Sequence, residues 1–363
     1  MNIYDYIDNN GIYTFQEKEI NLVDKVIFSF LSYANFQGIV DTTKITINEA
    51  SRIHLGLHKL NEVNITAVKE ANKILRYIKD TNRYKDCLLY NYVYEGTEHL
   101  QFSAICIEYQ KNKVYVSYEG TDQLISGWKE DLVLAYRTNT LSHKKAIKYL
   151  NKCFTFANKQ LIVGGHSKGG NLALIASMYA NFLVRSQIKE VQNVDGPGLL
   201  DQEFYSHEFK RVLPKYKHII PDNSFIGMLL NSANEIVIKT TSKAPLTHNI
   251  VFWEINNDKF VLNDLSPYSE ELRKDILKWL TVTHKNDIRK LAKNFQNIFE
   301  SAGVDSLLDI KKKKRIIFEL IEESKNMDPE AKNVLINFIK MVIKSFGDTY
   351  IDGIKTKIKD YVD

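Results

Sequence analysis

One stretch constrains this chain more than any other: LIVGGHSKGGNLALIAS, running from Leu161 to Ser177. The chain holds 16 glycines in 363 residues, yet Gly164, Gly165, Gly169 and Gly170 all fall inside it. An apolar, β-branched run passes through a Gly-Ser-Gly turn into an apolar helical run with no spacer. Gly165-His166-Ser167-Lys168-Gly169 therefore reads as G-x-S-x-G between a strand and a helix. That spacing places a serine on a sharp, strained turn that lifts its hydroxyl above the end of a sheet. Glycines two before and two after it leave room where backbones come too close for a Cβ. The helix that starts there turns its first N–H groups toward the site, favouring a developing oxyanion. Ser167 is the expected nucleophile and the Lys168 amide one oxyanion donor. Neither the G-x-x-x-x-G-K-[ST] of a P-loop nor the G-x-G-x-x-G of a dinucleotide fold is present.

The surroundings of this turn fit an α/β chain. CLLYNYVY, FSAICIEY and KVYVSYE are aromatic and β-branched runs separated by turn residues, and KEVQNV, KHII, EIVIKT and NIVFWEI are further strand-like pieces. Helical stretches are expected over Ser142–Asn158, Lys168–Phe182 and about Gln202–Val212. Strands alternating with helices imply a mostly parallel sheet covered on both faces. From Asn21 to Tyr84 the periodicity is helical: Val23, Val26, Ile27, Phe30 and Leu31 share a face, and Asn64 is placed to cap a helix carrying Val68, Ala71, Ile74, Leu75 and Ile78. Beyond Tyr268 the pattern is helical again, with Leu335, Phe338, Ile339, Val342 and Phe346 as one apolar stripe. The expected organisation is a helical part over residues 1–84 packed on the core, an α/β core over 85–267, and a helical appendage over 268–363.

A nucleophilic serine needs a base and a group to orient it, and in this architecture acid and then histidine follow the serine in the chain. His207 lies in a polar helical segment, His218 falls inside a strand, and His284 comes after the sheet pattern ends. His248, in a loop entering NIVFWEI, is the expected base. Two acids follow strands: Asp222, directly after KHIIP, and Asp195 in NVDGPG. Asp222 is preferred because the acid usually sits late in the sheet, with Asp195 as the alternative; Asp-Gly-Pro-Gly is also strong turn chemistry by itself.

These residues resemble a known family. Tyr118-Glu119-Gly120-Thr121-Asp122, followed by Trp128 and Asp131-Leu132, is similar to the oxyanion segment of class 3 lipases. GGHSKGGNLA, DGPG, PDNSFIGMLL and THNIVFW resemble the Mbeg1-like family, a lipase-related α/β-hydrolase group, as does the opening from Asn2 to Val40. The resemblance covers roughly Met1 to Asp264. It implies an α/β-hydrolase fold with helical additions at both ends, Ser167 as nucleophile, His248 as base, and Thr121 joining Lys168 in the oxyanion hole. Class 3 lipases carry the acid in an Asp-x-Val-Pro-like segment; Asn223–Gly227 fills that place here, directly after Asp222.

Composition narrows the function class. Apolar residues make up 44% and charged residues 26%, values of an ordinary globular chain. A formal net charge of +5 is too dilute for a dedicated nucleic-acid binder. Three cysteines, Cys87, Cys106 and Cys153, read as buried thiols in a reducing compartment rather than a disulfide framework or zinc site. The start MNIYDYIDNN lacks the apolar core of a signal peptide. A cytoplasmic protein is expected. His54 and His58, four apart, have no acid or cysteine partners and read as a surface pair rather than metal ligands. Lys311–Arg315 is read as a solvated helix face, with transient contact to an anionic membrane surface as the alternative. The expectation is cofactor-free and metal-free hydrolysis of a small acyl ester or lipid; the alternative is a binding protein with little or no catalysis on the same fold.

Overall fold

The computed structural model describes residues 1–57, 66–97, 100–121, 139–242 and 246–282, together with residues 322, 329 and 332. Its frame is an eight-stranded sheet whose strands lie side by side in chain order: β1 (Ile45–Thr46), β2 (Leu88–Thr97), β3 (Leu100–Gln110), β4 (Lys113–Tyr118), β5 (Gln160–His166), β6 (Ile188–Val194), β7 (Tyr216–Pro221) and β8 (Glu235–Ile238). The pairs from β1 to β4 are antiparallel and those from β4 to β8 are parallel. Register lines up the carboxyl ends of the central strands: Tyr118 sits opposite Gly165, and His166 opposite Val194. In a parallel sheet that rim is where ligands bind.

Side-chain alternation explains why the sheet is covered twice. Ile105 and Ile107 on β3, Tyr115 on β4 and Ile162 on β5 join the core formed with the N-terminal helices. Their neighbours Ala104, Cys106, Val114, Val116, Leu161 and Val163 join the core on the opposite face. A strand's period of two sends successive residues to opposite faces, so two apolar layers are required. One layer contains α1 (Ile3–Asn10), α2 (Leu22–Leu31), α3 (Ile47–Leu57) and α4 (Thr66–Ile78). Asn2 and Asn21 start α1 and α2 through capping boxes with Asp5 and Asp24. Ala71, Ile74, Leu75 and Ile78 of α4 are buried, as their spacing requires. The opposite face carries α5 (Leu141–Phe154) and α6 (Lys168–Tyr179).

The helix expected over Lys168–Phe182 breaks at Ala180: Asn181 accepts from the Val184 amide and starts a separate helix, α7 (Phe182–Gln187). The segment around Gln202–Val212 forms two short helices, α8 (Asp201–Phe204) and α9 (His207–Val212). NIVFWEI is not one strand. Asn249 caps a 3-10 turn over Ile250–Phe252, Trp253 makes an isolated antiparallel bridge to Thr240, and Ile255–Asn256 (β9) pairs with Lys259–Phe260 (β10). The apolar side chains still reach the core: Ile250, Trp253 and Ile255 are all buried. A final helix, α10 (Pro267–Val282), is tied to the sheet through Ser269 Oγ, which donates to Ser224 O, and through the Arg273–Glu235 ion pair. The capping position at Asn64, the Lys311–Arg315 run and the Leu335–Phe346 stripe lie outside the described residues.

Cys87 and Cys106 are buried, Cys153 is half-buried, and all three are free thiols. The expectation of a surface histidine at position 54 is corrected. His54 is buried, with Nδ1 on Asn35 O at 2.9 Å and Nε2 on Asn72 Oδ1 at 2.7 Å, because α3 and α4 close over it. His58 lies outside the described residues. Among the described residues no helix is long and apolar enough to cross a membrane.

Candidate active site

Ser167 stands between the end of β5 and the start of α6 with φ 58° and ψ −134°. A non-glycine residue rarely adopts that backbone, which costs about 1–3 kcal/mol and persists only where surroundings impose it. Here they do. The Ser167 amide donates to Val194 O at 2.8 Å, and its carbonyl accepts from the Gly170 amide at 2.9 Å. A Cβ on Gly169 would lie 2.1 Å from Tyr118 O, so only glycine lets the helix start so close to β4. The serine side chain makes no cap bond to the helix and is 4% exposed.

The neighbouring strand ends in the same way. Asp195, directly after β6, also has a positive φ, 47°. Its Oδ2 accepts from His248 Nδ1 at 2.6 Å, and its Oδ1 accepts from Ser224 Oγ at 2.5 Å and from the Gly227 amide at 3.1 Å. The carboxylate is 1% exposed, while the imidazole retains 18% of its surface. A carboxylate can only accept, so Nδ1 carries a hydrogen, and in the neutral ring Nε2 is the acceptor. Among the described residues no hydrogen bond joins Ser167 Oγ to His248 Nε2. Such contacts commonly tighten only when substrate is present.

The pairing expected between Asp222 and His248 is therefore corrected. Asp222 caps the end of β7 but accepts from Thr240 Oγ1 at 2.6 Å, Asn263 Nδ2 at 2.8 Å and Asn223 Nδ2 at 3.1 Å. Its backbone pairs with Ile238 and Ser266, so the residue staples β8 and the chain leading to α10. The His248 turn reaches back across the sheet to β6 instead. Thr247 Oγ1 donates to Asn223 O, and Trp253 Nε1 donates to Thr247 O at 2.7 Å, which fixes that path.

The Gly120–Thr121 segment lies against the serine turn. A Cβ at Gly120 would come within 2.1 Å of Tyr33 Oη, 2.4 Å of His166 O and 2.9 Å of Ser167 Cβ. Thr121 is buried beside it. Lys168 begins α6, and its Nζ donates to Gln101 O at 3.1 Å. The Asp122, Trp128 and Asp131 positions lie outside the described residues.

Two further histidines pack around the site, neither of them given a role by the sequence. His166 Nδ1 accepts from Tyr33 Oη at 2.9 Å, and His166 Nε2 donates to His248 O at 2.9 Å. His166 is buried, and burial, then the nearby His248, pushes its pKa well below the ordinary histidine value. His218, buried under the Asp195 turn, has Nε2 on Gly196 O at 3.0 Å and Nδ1 on Ser232 Oγ at 2.5 Å; burial brings it down to about 4. In the sequence His166 is only the variable position before Ser167, and His218 is a histidine set aside because it falls inside a strand. No group of three or more histidine, cysteine or acidic side chains suited to a metal occurs among the described residues.

With this geometry in place, the comparison with known proteins is decisive for the family. The Mbeg1-like family model matches residues 78–300, more than half of the chain. The chain belongs to the Mbeg1-like family. The match takes in β2 through β8, Ser167, Asp195 and His248, and the sheet with its strand–serine–helix turn is the α/β-hydrolase arrangement. No curated protein matches the chain. Among solved structures, the crystal structure of M37 lipase is similar over 57% of this chain and 68% of that one, at 14% identity and a TM-score of 0.34. That likeness is too loose to bear on what this Mbeg1-like chain does.

Proposed function

We propose that this Mbeg1-like chain is a serine hydrolase acting on a carboxylic ester of a small acyl compound or lipid. The observation that carries the proposal is Ser167 on a strained turn, one strand away from an Asp195 carboxylate that fixes His248 through Nδ1. In this reading His248 Nε2 takes the Ser167 proton as Oγ bonds to the ester carbonyl carbon. The amides of Lys168 and Thr121 hold the resulting oxyanion, in a site whose dipoles are set before substrate arrives. The bond to the alcohol breaks as His248 returns the proton to the leaving oxygen. Water then attacks the acyl-enzyme, His248 taking its proton and passing one back to Ser167 Oγ, and the carboxylic acid leaves.

Asp195 orients the base in this account, and Asp222 keeps only its structural bonds. No metal or cofactor enters the scheme. The test is hydrolysis of chromogenic esters of graded acyl length by the full chain, wild type against Ser167→Ala. Turnover by wild type that Ser167→Ala removes supports the reading. A folded wild type inert to every ester, or a Ser167→Ala variant that still turns over, favours the binding protein on the same fold.

A further inference from the structure

The proposed base is held from an unexpected direction. His248 is fixed through its side chain by Asp195, but its backbone carbonyl accepts from His166 Nε2 at 2.9 Å. The His166 ring lies between two others, with centroids 4.4 Å from Phe30 and 4.4 Å from His248. Its second nitrogen, Nδ1, is 2.9 Å from Tyr33 Oη. Phe30 belongs to α2 and Tyr33 to the turn after it, where the Tyr33 amide donates to Phe30 O. Both lie outside residues 78–300, the part shared with the family model.

We infer that Tyr33 and His166 are positioning residues for His248, so that the N-terminal helical layer completes the site. The inference rests on the reading of His248 as the base. The chemistry of the two contacts fixes the protons. A backbone carbonyl only accepts, so His166 Nε2 must carry the hydrogen. A neutral imidazole has one N–H, which leaves Nδ1 as an acceptor and the Tyr33 hydroxyl as its donor. Among the described residues, the titratable groups that face His166 are Tyr33 and His248, with Asp195 behind His248. Burial and the neighbouring His248 both disfavour a second proton on His166. A neutral ring packed against His248, tilted 38° to it, is what a base needs there: an imidazolium at that distance would oppose the proton His248 must accept. Gly120 belongs to the same arrangement, since any Cβ there would collide with Tyr33 Oη.

Removing one such buried hydrogen bond leaves a polar atom unpaired, an effect of about tenfold on a rate that depends on its placement. The experiment uses the full chain and two readouts. In ester turnover, Tyr33→Phe should lower kcat about tenfold with KM unchanged, and His166→Leu should lower it further, while His166→Gln, which keeps a donor for His248 O, should recover most of the loss. In ¹⁵N spectra of the substrate-free protein, His166 should show Nε2–H, a bare Nδ1 and no titration between about pH 5 and pH 9. A Tyr33→Phe variant that loses thermal stability but keeps wild-type kcat would overturn the inference, as would an Nδ1–H tautomer or a titrating His166. An inert wild type with the expected tautomer would support the hydrogen-bond chain and overturn the hydrolase reading instead.

Discussion

Asp24 and Asp195 are both buried carboxylates that the helical layer and the sheet rim close over, and their partners divide scaffold from site. Asp24 accepts from Arg83 Nε at 2.7 Å and Nη2 at 2.5 Å, from Tyr6 Oη at 2.9 Å, from Tyr84 Oη at 2.6 Å and from the Asn21 amide at 2.9 Å. Arg83 is fully enclosed as well, and two more of its N–H groups donate to Lys18 O and Glu19 O. Every member of that cluster belongs to the first 84 residues, and its cation never loses its proton. Asp195 instead faces neutral donors on one oxygen and, on the other, the Nδ1 of a histidine that still reaches solvent. A permanently saturated charge locks helices together; a carboxylate paired with a partly exposed imidazole orients that ring.

The sharpest way to break this comparison is to neutralise each acid. In an Asp-His-Ser arrangement the acid-to-amide change leaves the fold standing and puts the wrong tautomer on the base, so Asp195→Asn should lower ester kcat about 10⁴-fold. Steady-state kinetics against Asp24-cluster variants checks the contrast. Arg83→Met should act on stability alone, by about 3–5 kcal/mol, because it strands Asp24 as a buried unpaired charge. Urea unfolding at neutral pH reads that loss, and folded Arg83→Met should keep wild-type kcat.

The next effect is smaller and depends on pH. Burial holds His218 at about 4, whereas the histidine of an unfolded chain titrates near 6.5. Between those values the unfolded chain binds a proton that the folded chain refuses. The His218 contribution is therefore intact above about pH 6.5 and declines as pH falls toward 4, by about 3 kcal/mol in all. Unfolding measured from pH 7 down to pH 4.5 should show a shallower fall for His218→Gln than for wild type. The smallest effect belongs to Asp222→Asn, which weakens bonds to Thr240 and Asn263: about 1 kcal/mol of stability, with kcat within about threefold of wild type.

What could be read from the sequence was what short-range chemistry dictates. The serine turn was legible because its glycines, its apolar strand and its apolar helix are contiguous, and each is demanded by the same close approach. The strands β2 to β7 and the apolar face of α4 followed from periodicity for the same reason. The acid was not legible. Asp195 and Asp222 both end strands, and the choice between them depends on where the His248 turn comes back over the sheet. That path is set by Trp253 and Asn223, contacts no local pattern announces. NIVFWEI misled because burial was mistaken for extension: Ile250, Trp253 and Ile255 reach the core from a 3-10 turn as well as a strand would. Tyr33 and His166 escaped notice because a tyrosine after an apolar helix reads as core, and it is their meeting across 133 residues that gives them a role.

The central claim is that Ser167 is made nucleophilic by a His248 that Asp195, and not Asp222, holds. Its most direct measurement is the time course of covalent modification by a fluorophosphonate, followed by intact mass and peptide mapping on wild type, Asp195→Asn and Asp222→Asn. The account predicts one adduct per chain at Ser167, formed by Asp222→Asn at close to the wild-type rate and by Asp195→Asn orders of magnitude more slowly. An adduct on another serine, or a rate that collapses in Asp222→Asn and survives in Asp195→Asn, would contradict it.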